Sequence, residues 1–185
     1  MLNEINAILA DADLLVNEQQ IAVAITGIAE QINSLLADIN PLVLCVMNGG
    51  LVFTGQLLPQ LTIPLTLDSI NVSRYHNQTS GGAIEWVHTP RTHLKGRTVV
   101  IVDDILDEGI TLAAIYEHCL AHGAASIYSA VLVNKVLEHC KPILPDFIGF
   151  NLENRYLFGY GMDYKGYLRN ARGIYACKDN NEEQQ

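Results

Sequence analysis

The chain has 185 residues, 49% of them hydrophobic and 17% charged, and its 20 acids outnumber 11 bases for a formal charge of −9. A single domain of this length buries a substantial core, so neither disulfides nor a structural metal are required for stability. No Lys or Arg precedes Arg74, which excludes the dense basic surface that a nucleic acid demands but leaves room for a small anion held by a few bases and backbone N–H groups.

Residues 1–13 carry three acids and no base, so the basic flank of a secretory signal is missing and a cytoplasmic protein is expected. Helices are expected over about residues 3–38. The clearest starts at Asn17, where Ile21, Ile25, Ile28, Ile32 and Leu35 recur on one face and Asn17 with Gln20 is suited to capping. Residues 42–47 form a short apolar run closed by Asn48, Gly49 and Gly50, and a helix follows to about Pro59. The longest uncharged apolar runs, 41–47 and 98–102, fall far short of the roughly 18 residues that a membrane helix needs. Residues 65–72 alternate as a strand does, the polar stretch 73–82 reads as a mobile loop, and residues 83–87 read as a second strand.

After the turn at Lys95 and Gly96, TVVIV is uniformly apolar and β-branched, as strands buried on both faces of a parallel sheet are. Residues 110–123 read as a helix stopping at Gly123, and residues 126–133 return to strand character. Alternation of strand and helix predicts an α/β domain over residues 1–178, with a mainly parallel central sheet flanked by helices. DFIGF from Asp146 and YLFGYGMDY from Tyr156 are expected as shorter strands or turns at the sheet edge, and residues 179–185 as a disordered tail. Cys45, Cys119, Cys140 and Cys177 are widely spaced without a C-x-x-C and are read as reduced packing residues.

The chemistry concentrates in VVIVDDILDEGIT, residues 99–111. A buried strand runs into Asp103 and Asp104, and then Asp107, Glu108 and Gly109 turn into a helix near Thr111. Ligands of open α/β sheets settle at such strand ends, where loop amides and a helix N-terminus are presented together. Four carboxylates within six residues repel by about 1 kcal/mol per close pair in water and about 4 at an effective dielectric near 20. A helix N-terminus offsets part of that, and vicinal hydroxyls or a divalent cation would offset the rest.

This segment resembles the phosphoribosyl-diphosphate loop of the type I phosphoribosyltransferases, two acids after a strand followed by D-x-G-x-T. The resemblance implies that Asp103 and Asp104 hold the ribose hydroxyls and that the turn through Asp107, Glu108, Gly109, Ile110 and Thr111 cradles the 5′-phosphate. Three further segments are similar to the hypoxanthine-guanine phosphoribosyltransferases: VMNGGLVFTGQLL to their pyrophosphate loop, NVSRYHNQTSGG to their flexible loop, and PDFIGFNLENRYLFGYGMDYKGYLRN to their purine-binding end. Together they cover most of residues 42–177. By that resemblance Asn48, Gly49, Arg74 and Arg169 contact pyrophosphate; Lys135, Tyr156, Leu157 and Asp163 serve the purine; Mg²⁺ is held near Asp103, Asp104 and Asp163; and a small hood is built from the chain ends. Asp107 accepts the purine proton, and a homodimer or homotetramer is implied.

The residue chemistry agrees on its own terms. Tyr156 offers a stacking face, Lys135 is a donor that favours a 6-oxo over a 6-amino group, and a guanidinium suits a diphosphate. The chain departs from the family at Asn48, often Lys, and at Arg74, more usually Ser, and Arg74 is a cation able to replace the missing one. The substrates implied are a 6-oxopurine and phosphoribosyl diphosphate, with no nucleic-acid or membrane partner. Other readings of the same residues stay in view: a zinc pair at His118 and His122 without a third ligand, a receiver domain built on the paired acids, and a regulatory binder that keeps the fold without catalysis.

Overall fold

The computed structural model describes residues 2–74 and 84–178, the side chain of Arg74 excepted. Its elements are α1 (Leu2–Asp11), β1 (Asp13–Asn17), α2 (Glu18–Leu35), β2 (Leu42–Met47), α3 (Gly50–Leu57), β3 (Thr66–Arg74), β4 (Ile84–His88), β5 (Thr98–Leu106), α4 (Ile110–Ala121), β6 (Ser126–Lys135), β7 (Phe147–Leu152), β8 (Leu157–Phe158) and β9 (Gly173–Ala176), with a 3₁₀ turn after α3 at Leu58–Gln60. None of the described helices is long and apolar enough to cross a membrane.

The central sheet has the order β4-β3-β2-β5-β6-β7. All its pairings are parallel except β3 with β4. The uninterrupted apolar runs of β2 and β5 make sense there, because alternate residues feed two different cores. Val43, Val100 and Val102 pack with α2 and α3, whereas Leu42, Leu44, Val99 and Ile101 pack with Leu112, Ile115 and Cys119 of α4. Helix α2 starts as its sequence predicts: Asn17 Oδ1 accepts from Gln20 N, and Gln20 Oε1 accepts from Asn17 N, both at 2.9 Å. Its buried face ends at Leu36 instead of Leu35, which is 52% exposed.

A second, antiparallel sheet, β1-β9-β8, forms the hood. Here the chain ends meet, Asp13 opposite Ala176 and Asn17 opposite Gly173. Helix α1 seals the sheet by setting Ile5 among Phe158, Tyr164 and Cys177.

Several expectations are corrected. A strand, β1, interrupts the helices expected over 3–38. β3 continues through Ser73 and Arg74, which pair with Glu85 and Ile84, so the strand outlasts the start of the polar stretch. β5 extends past the two acids to Leu106, and β6 includes Lys135. YLFGYGMDY supplies β8 of the hood and no edge of the main sheet, whereas DFIGF becomes β7 at that edge. Cys45, Cys119 and Cys177 are buried as expected, but Cys140 is exposed. The His118 ring lies between those of His122 and Trp86, tilted to each, with centroids 4.0 and 4.6 Å away. The mobile loop expected over 73–82 lies, from residue 75 onward, outside the described residues, as does the tail 179–185.

Candidate active site

Parallel strands β2, β5 and β6 all end on one side of the sheet, and a cavity of about 380 Å³ opens there beneath the hood. β2 contributes Met47, Asn48 and Gly49; the end of β5 contributes Asp103, Asp104 and Asp107; β6 contributes Lys135; and the hood contributes Tyr156, Leu157, Asp163 and Arg169. Gly109 and Thr111 complete the wall at the start of α4.

Glycine is what lets the walls come together. A Cβ at Gly49 would overlap the carboxylate of Asp104, and one at Gly161 would overlap the carbonyl oxygen of Gly49, so the β2 loop, β5 and the hood touch backbone to side chain. Gly109 has φ 81°, a left-handed conformation open to glycine, and it begins α4 without any side-chain cap. The first amides of α4 are thus left to an outside acceptor.

The two adjacent acids are held under tension by their surroundings. Asp104 is buried at 6% exposure; its Oδ1 accepts from Ile105 N at 2.9 Å, and Asp103 Oδ1 accepts from Asp104 N at 2.9 Å. Burial pushes the Asp103 carboxyl well above the usual range, and the neighbouring Asp104 charge pushes it further. Burial raises Asp104 too, against the pull of its hydrogen bonds and of Arg169. Four acids line the cavity against the cations Lys135 and Arg169, an imbalance that favours a cationic or hydroxyl-rich ligand.

The remaining charges are paired. Lys135 Nζ lies 3.2 Å from Asp107 Oδ1. Arg169 pairs with Asp163 and donates to Gly161 O at 2.6 Å. Tyr156 presents a half-exposed ring, set edge-on to Tyr164 at 5.5 Å.

Among the expected site residues, Glu108 and Ile110 do not line the cavity: Glu108 bonds His139 Nε2 at 2.9 Å and Ile110 is 44% exposed. Their backbone amides remain in the turn. The side chain of Arg74 lies outside the described residues, so its suggested compensation for Asn48 is a matter for assay.

Sequence reasoning missed the apolar lining, notably Ile105, Met162 and Val72. The alternation of a strand carries the signal for Ile105: with β5 extended to Leu106, Asp103 and Ile105 share one face.

The carboxylates of the cavity differ in what they can offer to Mg²⁺. Among the described residues no three His, Cys, Asp or Glu side chains are grouped to enclose a metal. Asp163 is also engaged by Arg169. Asp103 and Asp104, by contrast, offer hard oxygens that feel Arg169 only through its charge and not in a direct ion pair, which fits an ion that takes one or two carboxylates and keeps its water and substrate phosphates.

Residues 11–165 match the model of the phosphoribosyl transferase domain. A hypoxanthine-guanine phosphoribosyltransferase of Bacillus subtilis (strain 168) is 31% identical over 166 residues, covering 89% of this chain and 92% of that protein. The structure of the Trypanosoma cruzi hypoxanthine phosphoribosyltransferase in complex with the product IMP superimposes with a TM-score of 0.83 at 30% identity, covering 91% of this chain and 96% of that one. A Staphylococcus aureus hypoxanthine phosphoribosyltransferase shares the fold, with a TM-score of 0.87 at 22% identity over 93% of this chain and 95% of that one.

Proposed function

The chain belongs to the phosphoribosyl transferase domain family, and from that premise we propose that it is a purine salvage enzyme joining hypoxanthine or guanine to phosphoribosyl diphosphate, with release of pyrophosphate. The observation that carries this reading is the convergence in one cavity of the D-D-I-L-D-E-G-I-T turn with Lys135 and Tyr156.

Asp103 and Asp104 accept from the ribose hydroxyls. The uncapped start of α4, with Gly109 and Thr111, receives the 5′-phosphate through amides and a hydroxyl. The purine stacks on Tyr156, and Lys135, which can only donate, binds its 6-oxo group. As the glycosidic bond forms, Asp107 accepts the proton from the imidazole nitrogen of the base. Gly49, Asn48 and Arg169 surround the departing pyrophosphate, on which negative charge grows. Bound Mg²⁺, near Asp103, Asp104 and Asp163, would supply charge neutralisation of the diphosphate oxygens. A homodimer or homotetramer belongs to the same reading. So does a cytoplasmic location, which suits the free thiols at Cys45, Cys119, Cys140 and Cys177.

The test is direct: incubate the protein with phosphoribosyl diphosphate, Mg²⁺ and hypoxanthine, guanine, xanthine or adenine in turn, and follow nucleotide formation. Hypoxanthine or guanine should be converted. Conversion of adenine alone would overturn the role given to Lys135, and conversion of none would overturn the activity.

A further inference from the structure

The ladder between β5 and β6 stops at the pair Leu106 with Asn134. Asp107, which follows the end of β5, and Lys135, the last residue of β6, are the pair assigned above to the proton and to the oxo group. Lys135 is also paired with Leu152 of β7 on its other side, and Lys141 lies at this junction.

It sits in the connection from β6 to β7, partly buried, and its ammonium donates to Leu106 O at 2.8 Å, to Asn134 Oδ1 at 2.8 Å and to Lys135 O at 2.5 Å. An ammonium has three protons, and all three are used. Leu106 O belongs to the peptide that leads into Asp107, and Lys135 O to the residue whose own ammonium reaches Asp107. The third acceptor is itself held, because Asn134 Nδ2 donates to Asn151 Oδ1 at 2.7 Å. The bare Cα of Gly109 lets this connection lie against the turn: a Cβ there would meet Pro142 Cδ at 3.3 Å and Lys141 Cβ at 3.5 Å. A solvated surface lysine would show none of this convergence.

On the reading of the activity given above, we propose that Lys141 is a positioning residue for the reaction. Its ammonium ties the end of β5 to the end of β6 and sets the spacing between Asp107 and Lys135. It touches no reacting atom. Misplacement of reacting groups by about 1 Å is enough to lower turnover by roughly 10².

Lys141→Met keeps the aliphatic stem and removes the three donors. We expect kcat/KM for hypoxanthine or guanine to fall about tenfold or more. The same substitution made on Lys135→Ala should have a much smaller effect, because the partner it positions is gone. Equal losses in the two backgrounds, as a general packing role would give, overturn the proposal. Should Lys141→Met fail to fold, Lys141→Arg carries the same comparison, since a planar fork cannot supply three converging protons. Wild-type turnover is read first, and its absence rejects the activity alone. Crystals of the variant and wild type then decide the positioning role independently: a lost or lengthened Lys135–Asp107 contact supports it, and an unchanged contact overturns it.

Discussion

Replacing Asp104 by Asn should stabilise the ligand-free protein at neutral pH and abolish its hold on phosphoribosyl diphosphate. Asp104 is buried beside Asp103, and both carboxyls are pushed up, chiefly by burial. Asn keeps the Oδ1 acceptor for Ile105 N and nearly the same shape. Two unit charges about 4 Å apart interact by about 4 kcal/mol at an effective dielectric near 20, and the lost attraction of Arg169 offsets part of that gain. A net gain of about 2 kcal/mol corresponds to about 4 to 8 °C in Tm for a domain of this size. The pH dependence follows from the direction of the shifts. The native acids hold protons more tightly than the unfolded ones, so wild-type stability falls as pH rises above about 4 through the raised native values. The advantage of the Asn variant is therefore greatest at neutral pH and fades on acidification. Thermal unfolding at several pH values, with and without phosphoribosyl diphosphate and Mg²⁺, measures both effects. A variant less stable than wild type at pH 7, or a difference independent of pH, would refute the reasoning.

Asp107→Asn should lower kcat by roughly 10² or more while nucleotide binding, measured by calorimetry, changes little; near-wild-type turnover would remove Asp107 from the proton transfer. Arg74→Ala should raise the apparent KM for phosphoribosyl diphosphate if Arg74 supplies the cation missing at Asn48, and an unchanged KM rejects that compensation. Asn17→Ala removes the Asn17 side-chain cap of α2 and should cost about 1 kcal/mol, read as a Tm drop of about 2 to 4 °C, with kcat unaffected.

The turn from Asp103 to Thr111 was legible because its meaning is local: acids at a strand end, a glycine in the left-handed region and a helix start lie within nine residues. The capping of α2 was legible for the same reason. The pairing of β1 with β9 was not, because five short residues near Asp13 have no strand signal until a partner some 160 positions away is present. Lys141 was invisible for a related reason: nothing in its neighbours distinguishes a lysine with three protein acceptors from one in water. Leu35 and Leu36 differ by a single step of helix rotation at a fraying end, which the apolar period cannot resolve.

The antiparallel pairing of Asp13 with Ala176 also orders events during synthesis. Residues 13–17 are synthesised well before residues 173–176, so β1 has no partner until β9 is made. Tyr156 and Leu157 gain their backing only when β9 emerges, because Cys177 N donates to Tyr156 O and β8 pairs with β9. A nascent chain therefore has the turn from Asp103 to Thr111 before it has the backing of Tyr156 and Leu157, and that wall of the cavity is completed last.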